Sequence, residues 1–80
     1  MAQDYIGVVE LFAGNFAPAG WAECQGQTLT ISNNEALFSI LGNTYGGDGQ
    51  VTFALPNLSK KSPGNGMRYI ICMYGDFPPR

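Results

Sequence analysis

Histidine is absent from this 80-residue chain, which removes the commonest side chain for proton exchange near neutral pH. Neither a Ser-His-Asp nor a Cys-His pair can be built within one chain. Two carboxylates can cooperate in glycoside cleavage, but Glu10, Glu23 and Asp48 fall on separate short segments with nothing beside them to raise a pKa. The chain therefore reads as a non-enzyme. Cysteine is nearly absent too. Cys24 and Cys72 are too few for a disulfide framework, and without histidine they supply at most half of a zinc shell. Both are expected as reduced core thiols.

Positive charge is missing from the first 59 residues: Lys60, Lys61, Arg68 and Arg80 are the only basic residues, against Asp4, Glu10, Glu23, Glu35, Asp48 and Asp76. No basic cluster is large enough to neutralise several phosphates, so nucleic acid is excluded as a partner. The split into an acidic first part and a basic last part suits head-to-tail contacts between subunits. No apolar run approaches the roughly 20 residues that span a bilayer, and the start MAQDYIG lacks the basic and apolar regions of a signal peptide. The expectation is a product made in the cytoplasm and not inserted in a membrane.

What is present is turn-rich and apolar: 11 Gly, 5 Pro and 45 % apolar residues. Eighty residues make one domain that buries only about 60 to 65 % of its unfolded surface, so oligomerisation would help it. Residues Tyr5 to Phe12 alternate loosely with apolar side chains on both sides, which predicts a strand covered on two faces. A turn around Pro18 follows, with Phe16 expected to plug the loop onto the core. Trp21 to Cys24 and Thr28 to Ile31 read as two strands of a hairpin closed at Gln25-Gly-Gln27. Ser32 and Glu35 form a capping box, and Leu37, Phe38, Ile40 and Leu41 give a helix over about 33–41, stopped by Gly42. Strands are also expected at Val51 to Ala54 and Arg68 to Tyr74, with Ser59 to Met67 as an exposed loop. The fold class is α+β: short strands and Gly-rich loops with one short helix.

Four glycines between Gly42 and Gly49 imply a shaped loop with backbone in unusual conformations. Its single carboxylate, Asp48, is far short of a calcium site and is better used in hydrogen bonds to its own loop. The tract lacks the Lys and Ser/Thr of a nucleotide loop. Asn43, Tyr45 and Asp48 suit sugar binding through stacking and hydrogen bonds, and they serve equally well to hold the loop in one shape.

The ordered residues LFAGNFAP-x-GW-x-x-C-x-GQ from Leu11 to Gln27, then ALFS-x-LG-x-x-YGGDG-x-x-TF-x-LP from Ala36 to Pro56, closely resemble the phage tail collar family, which includes the proteins called microcystin-dependent. The closing segment Tyr69 to Arg80 is similar to that family's last strand and its Phe-Pro-x-Arg ending. Relatives typically carry a long variable insertion after LPDLRGR. Here only Ser59 to Met67 remain, and Asn57, Ser59 and Lys60 stand where Asp, Arg and Gly are usual.

The resemblance implies a single collar domain over 1–80 with 59–67 as a shortened variable loop, commonly as an intertwined homotrimer. It implies a structural part of a phage tail fibre or phage-tail-like contractile injection particle, a collar, cap or adaptor at the fibre or spike tip. The alternative is an adhesin that recognises a surface glycan. Partners are then other copies and other tail-fibre, spike or baseplate proteins, with no cofactor and no metal, in an assembled virion tail. In that reading Ile6, Val8, Leu11, Trp21, Leu37, Phe38, Leu41, Phe53, Leu55, Ile70 and Cys72 build the core or subunit interface. Asn43, Tyr45, Asp48, Lys60, Lys61 and Arg68 are the candidates for partner or glycan contact.

Overall fold

A computed structural model describes residues 5–61, 64 and 66–78. Along the chain it places β1 (Val9–Phe12), β2 (Trp21–Glu23), β3 (Thr28–Thr30), α1 (Glu35–Leu41), β4 (Thr52–Ala54) and β5 (Arg68–Cys72). The strands form two antiparallel sheets, one ordered β1-β5-β2 and one pairing β3 with β4. The architecture is thus mostly antiparallel strand with one short helix, as the composition suggests.

β5 is the middle strand of its sheet, and its run of Ile70, Ile71 and Cys72 is buried throughout. Successive strand residues point to opposite faces, so a continuous apolar run means cover on both sides. On one face Ile71 lies opposite Val9 and Ala22 and joins the core formed with Ile6, Cys24, Leu37, Phe53 and Leu55. On the other, Ile70 lies between Glu10 and Glu23, and Cys72 lies opposite Trp21. The two-sided cover expected of the first strand therefore belongs to the last. β1 is an edge strand, with Val8, Val9 and Leu11 exposed by 38–40 %. It is also shorter than the expected Tyr5 to Phe12, because Gly7 at φ 91° breaks the extended run. Tyr5 instead forms a bridge with Asp76, and Ile6 N–H donates to the Asp76 carbonyl at 2.9 Å.

The hairpin expected between Trp21–Cys24 and Thr28–Ile31 does not form, since β2 pairs with β5 and β3 with β4. Gly26, at φ 77°, redirects the chain from one sheet to the other, and Gln25 bridges to Asn57. Pairing across a long loop costs little more entropy than a local closure. The pairing sets Trp21 and Ala22 against Cys72 and Ile71 of the buried central strand. The capping box is likewise absent. The helix starts at Glu35 behind Asn34, whose side chain caps no N–H and donates from Nδ2 to the Thr30 carbonyl at 2.9 Å. Gly42 ends it as expected, at φ 60°, with its N–H on the Phe38 carbonyl.

Phe16 does not plug its loop and is 71 % exposed. The Phe12 ring lies against this loop, where a side chain on Gly14 would have to go. Among the described residues the largest fully buried side chain is Phe53, tilted 58° against Phe38 at 5.4 Å between ring centres. Phe53→Ala should cost about 3–5 kcal/mol of unfolding free energy in chemical denaturation. Gly20 and Gly47 give a second test. Both have positive φ, but space around Gly20 is open while a Cβ on Gly47 would meet the backbone of Thr52 and Phe53. Gly20→Ala should lose roughly 1–2 kcal/mol, the cost of a left-handed L-residue, and Gly47→Ala clearly more.

Candidate functional site

The Gly-rich loop between α1 and β4 is held by its own backbone and by one carboxylate. Gly46 takes the Ala54 N–H on its carbonyl at 3.1 Å, and Gly49 N–H donates to the Thr52 carbonyl at 2.9 Å. Asp48 Oδ1 accepts three backbone N–H groups, from Gln50 and Val51 at 2.8 Å and Thr52 at 3.0 Å. The Thr52 hydroxyl in turn accepts the Asp48 N–H at 3.2 Å. These N–H groups, Thr52 first, then Val51 and Gln50, hold the Asp48 carboxyl down to about 2. Asp48 thus acts as the internal fastener of the loop, which is the structural use its position suggested.

Asn43 packs its side chain beside Gly49, while Tyr45 is about half exposed. Lys60 and Lys61 are exposed in the turn after Leu58, where Lys61 N–H donates to the Leu58 carbonyl. Arg68 opens β5 and lies on the same sheet face as Glu23, two residues along the ladder, with Nη1 3.2 Å from Oε2. Both partners keep about a quarter to a third of their side-chain surface, so this pair adds little stability. The six candidate contact residues therefore lie in three places: Asn43, Tyr45 and Asp48 on one loop, Lys60 and Lys61 on a turn, and Arg68 on the sheet. Among the described residues no hydrogen bond or ion pair joins these places.

Of the candidate core and interface residues, Ile6, Leu37, Phe53, Leu55, Ile70 and Cys72 are buried; Trp21, Phe38 and Leu41 are half-buried; Val8 and Leu11 are exposed. Cys24 and Cys72 are both buried and form no disulfide. Burial pushes the Cys24 thiol up to about 11, which keeps it protonated and poorly nucleophilic. Cys72 donates to the Tyr74 carbonyl at 3.2 Å. Among the described residues no group of three or more His, Cys, Asp or Glu is placed to hold a metal, and no helix is long and apolar enough to cross a membrane.

Beside Val8 and Leu11, which sequence reading named for the core or subunit interface, Tyr5, Val9, Tyr74 and Phe77 are exposed too, and these it did not single out. The signal was available in part: Tyr5 to Phe12 is apolar on both sides, and only one side had a partner strand to meet. It also passed over the grouping of Glu23, Ser59 and Tyr69 around Arg68, which arises from the β2–β5 register and leaves no local mark on the sequence.

The family model described as Phage Tail Collar Domain matches residues 7–63 of the chain. No curated protein and no solved structure matches it.

The pH dependence of Asp48 gives a direct test of the loop. Its folded value near 2 lies below the ordinary 3.8, so its contribution is fully present above the ordinary value and is lost as pH falls toward 2. Wild type should be more stable than Asp48→Asn at pH 6 in urea unfolding, and the gap should close as the pH falls from about 4 to about 2.

Proposed function

The chain belongs to the phage tail collar family, a structural family of phage tails, and from that premise we propose that it forms a small homotrimeric collar, cap or adaptor at the tip of a tail fibre or spike. The observation that carries this reading is the apolar surface around the edge strand β1. Val8, Val9 and Leu11 stand exposed there, with Tyr5, Tyr74 and Phe77 near the paired chain ends. Monomeric proteins rarely leave so many large apolar side chains grouped in water, and an edge strand left bare invites association.

A threefold ring joins two different surfaces of each copy, so complementary rather than identical charge is useful. Glu10 and Glu35 on one part of the chain and Lys60 and Lys61 on another have no ion-pair partner among the described residues. They are free to pair between copies. Parts of this kind join a carrier to something else by buried surface, without a reactive residue.

Light scattering of the purified chain should give about three times 8.6 kDa, and a stable monomer at micromolar concentration overturns the reading. Leu11→Lys should shift the population toward monomer while leaving the strand content seen by circular dichroism in place, because Leu11 is already 40 % exposed in the single chain.

A further inference from the structure

The outer edges of the two sheets are not alike. On β2 the Trp21 N–H donates to the Pro18 carbonyl at 3.0 Å, and the Glu23 carbonyl accepts from Gln27 Nε2 at 2.8 Å and from the Gln25 N–H at 3.1 Å. On β4 the Thr52 and Ala54 N–H groups go to Asp48 Oδ1 and the Gly46 carbonyl, and the Thr52 carbonyl accepts from Gly49. On β3 the Asn34 side chain holds the Thr30 carbonyl, and the exposed side chains are threonines. On β1 the edge is bare. The Val8 carbonyl accepts the Cys72 N–H at 2.9 Å, and hydrogen-bonded positions alternate along an antiparallel pair. Glu10 and Phe12 therefore bond toward β5, while Val9 and Leu11 turn their N–H and C=O groups outward, where no hydrogen bond among the described residues reaches them. Such an edge is a template for one more strand.

Charge and shape beside the edge say what that strand carries. Glu10 has no ion-pair partner among the described residues, and Arg68, diagonal to it on β5, is taken by Glu23. A groove of about 250 Å³ runs beside it, lined by Glu10, Leu11, Phe12, Pro18 and Ile70. A residue set opposite Glu10 on an added strand lies on the same face. Lys or Arg fits that place, with the apolar stem in the groove and the charged head at the carboxylate. The residues on either side of it, opposite Val9 and Leu11, meet side chains exposed by 38 and 40 %, which apolar residues would cover. A second copy of the chain does not supply such a strand. Two β1 strands in the register that uses all the outward groups of both set Glu10 against Glu10, and like charges directly opposite repel. Among the basic residues only Arg68 lies between apolar ones, Met67 and Tyr69, and that segment already opens β5. We propose that the edge of β1 takes up an extended segment of another protein, apolar–Lys/Arg–apolar in pattern, as an added antiparallel strand. The inference rests on the reading of the chain as a joining piece and names how the partner is held. Copies of the chain then meet beyond the end of β1, through Tyr5, Val8, Tyr74 and Phe77.

The test titrates the isotope-labelled full chain with the blocked peptide Ser-Thr-Val-Lys-Val-Thr-Ser and follows amide shifts by NMR. The amides of β1 should move, with a Kd of about 1 mM or tighter. Changing the peptide's lysine to glutamate should weaken binding about fivefold or more, and Glu10→Lys in the chain should reverse that preference. N-methylation of the two valines, whose N–H groups face β1, should abolish binding. N-methylation of the lysine, whose N–H faces away, should leave the affinity within about twofold. Silence of the lysine peptide overturns the proposal, as does an equal response to the glutamate peptide, or binding that survives methylation of the valines. Light scattering of the free chain reads the trimer separately: a trimer with a silent peptide overturns this inference alone, and a monomer that binds the peptide overturns the trimer alone.

Discussion

The burial of Ile70, Ile71 and Cys72 on consecutive positions of β5 is the constraint on which the rest of the structure depends. A strand that is apolar on both faces must be central, and it needs a partner on each edge and a layer on each face. β1 and β2 supply the edges. The helix and the β3–β4 pair cover one face through Leu37, Phe53 and Leu55, and Phe12 and Trp21 lie on the other. Because β5 comes last in the chain, neither edge strand has its neighbour until the chain is nearly complete. The sheet is built from contacts distant in sequence, and little of it can form early.

This is also why local reading succeeded in some places and failed in others. The helix, its stop at Gly42, the fastening role of Asp48 and the breaks at Gly-rich turns are decided within a few residues, and all were legible. The supposed hairpin at Gln25-Gly26-Gln27 failed because the turn residues say only that the chain changes direction, while the partner is chosen by burial against residues some fifty positions away. The capping box failed for a different reason. The helix begins behind Asn34, two residues beyond Ser32, so Glu35 stands at the first helical position and cannot reach back to Ser32 as the third residue of a box would. Phe16 was expected to plug the loop by its place within it, but it is exposed, and the ring lying against Gly14 is that of Phe12 at the end of β1.

The grouping of the candidate contact residues was only half legible for the same physical cause. Residues that sit on one loop, such as Asn43, Tyr45 and Asp48, can be grouped from sequence alone. Arg68 and Glu23 meet because β2 and β5 are in register, and Tyr5 and Phe77 lie near each other because Tyr5 bridges Asp76. Such groupings belong to the ladder, and a sparse charge pattern gives no hint of them. Membership of the collar family fixes the framework, while the surface that distinguishes this chain is written in its register.

The Tyr5–Asp76 bridge has a mechanical consequence. Beyond it the chain runs through the Ile6 and Gly7 hydrogen bonds into the antiparallel β1–β5 ladder, so residues 5 and 76 sit side by side at one end of that ladder. Tension applied between them would peel the hydrogen bonds one after another, the way a zip opens, and never load them all at once. A ladder in that orientation yields at low force. Force applied at residues 5 and 76 would thus meet the sheet one hydrogen bond at a time, whereas force applied across its strands would meet several together.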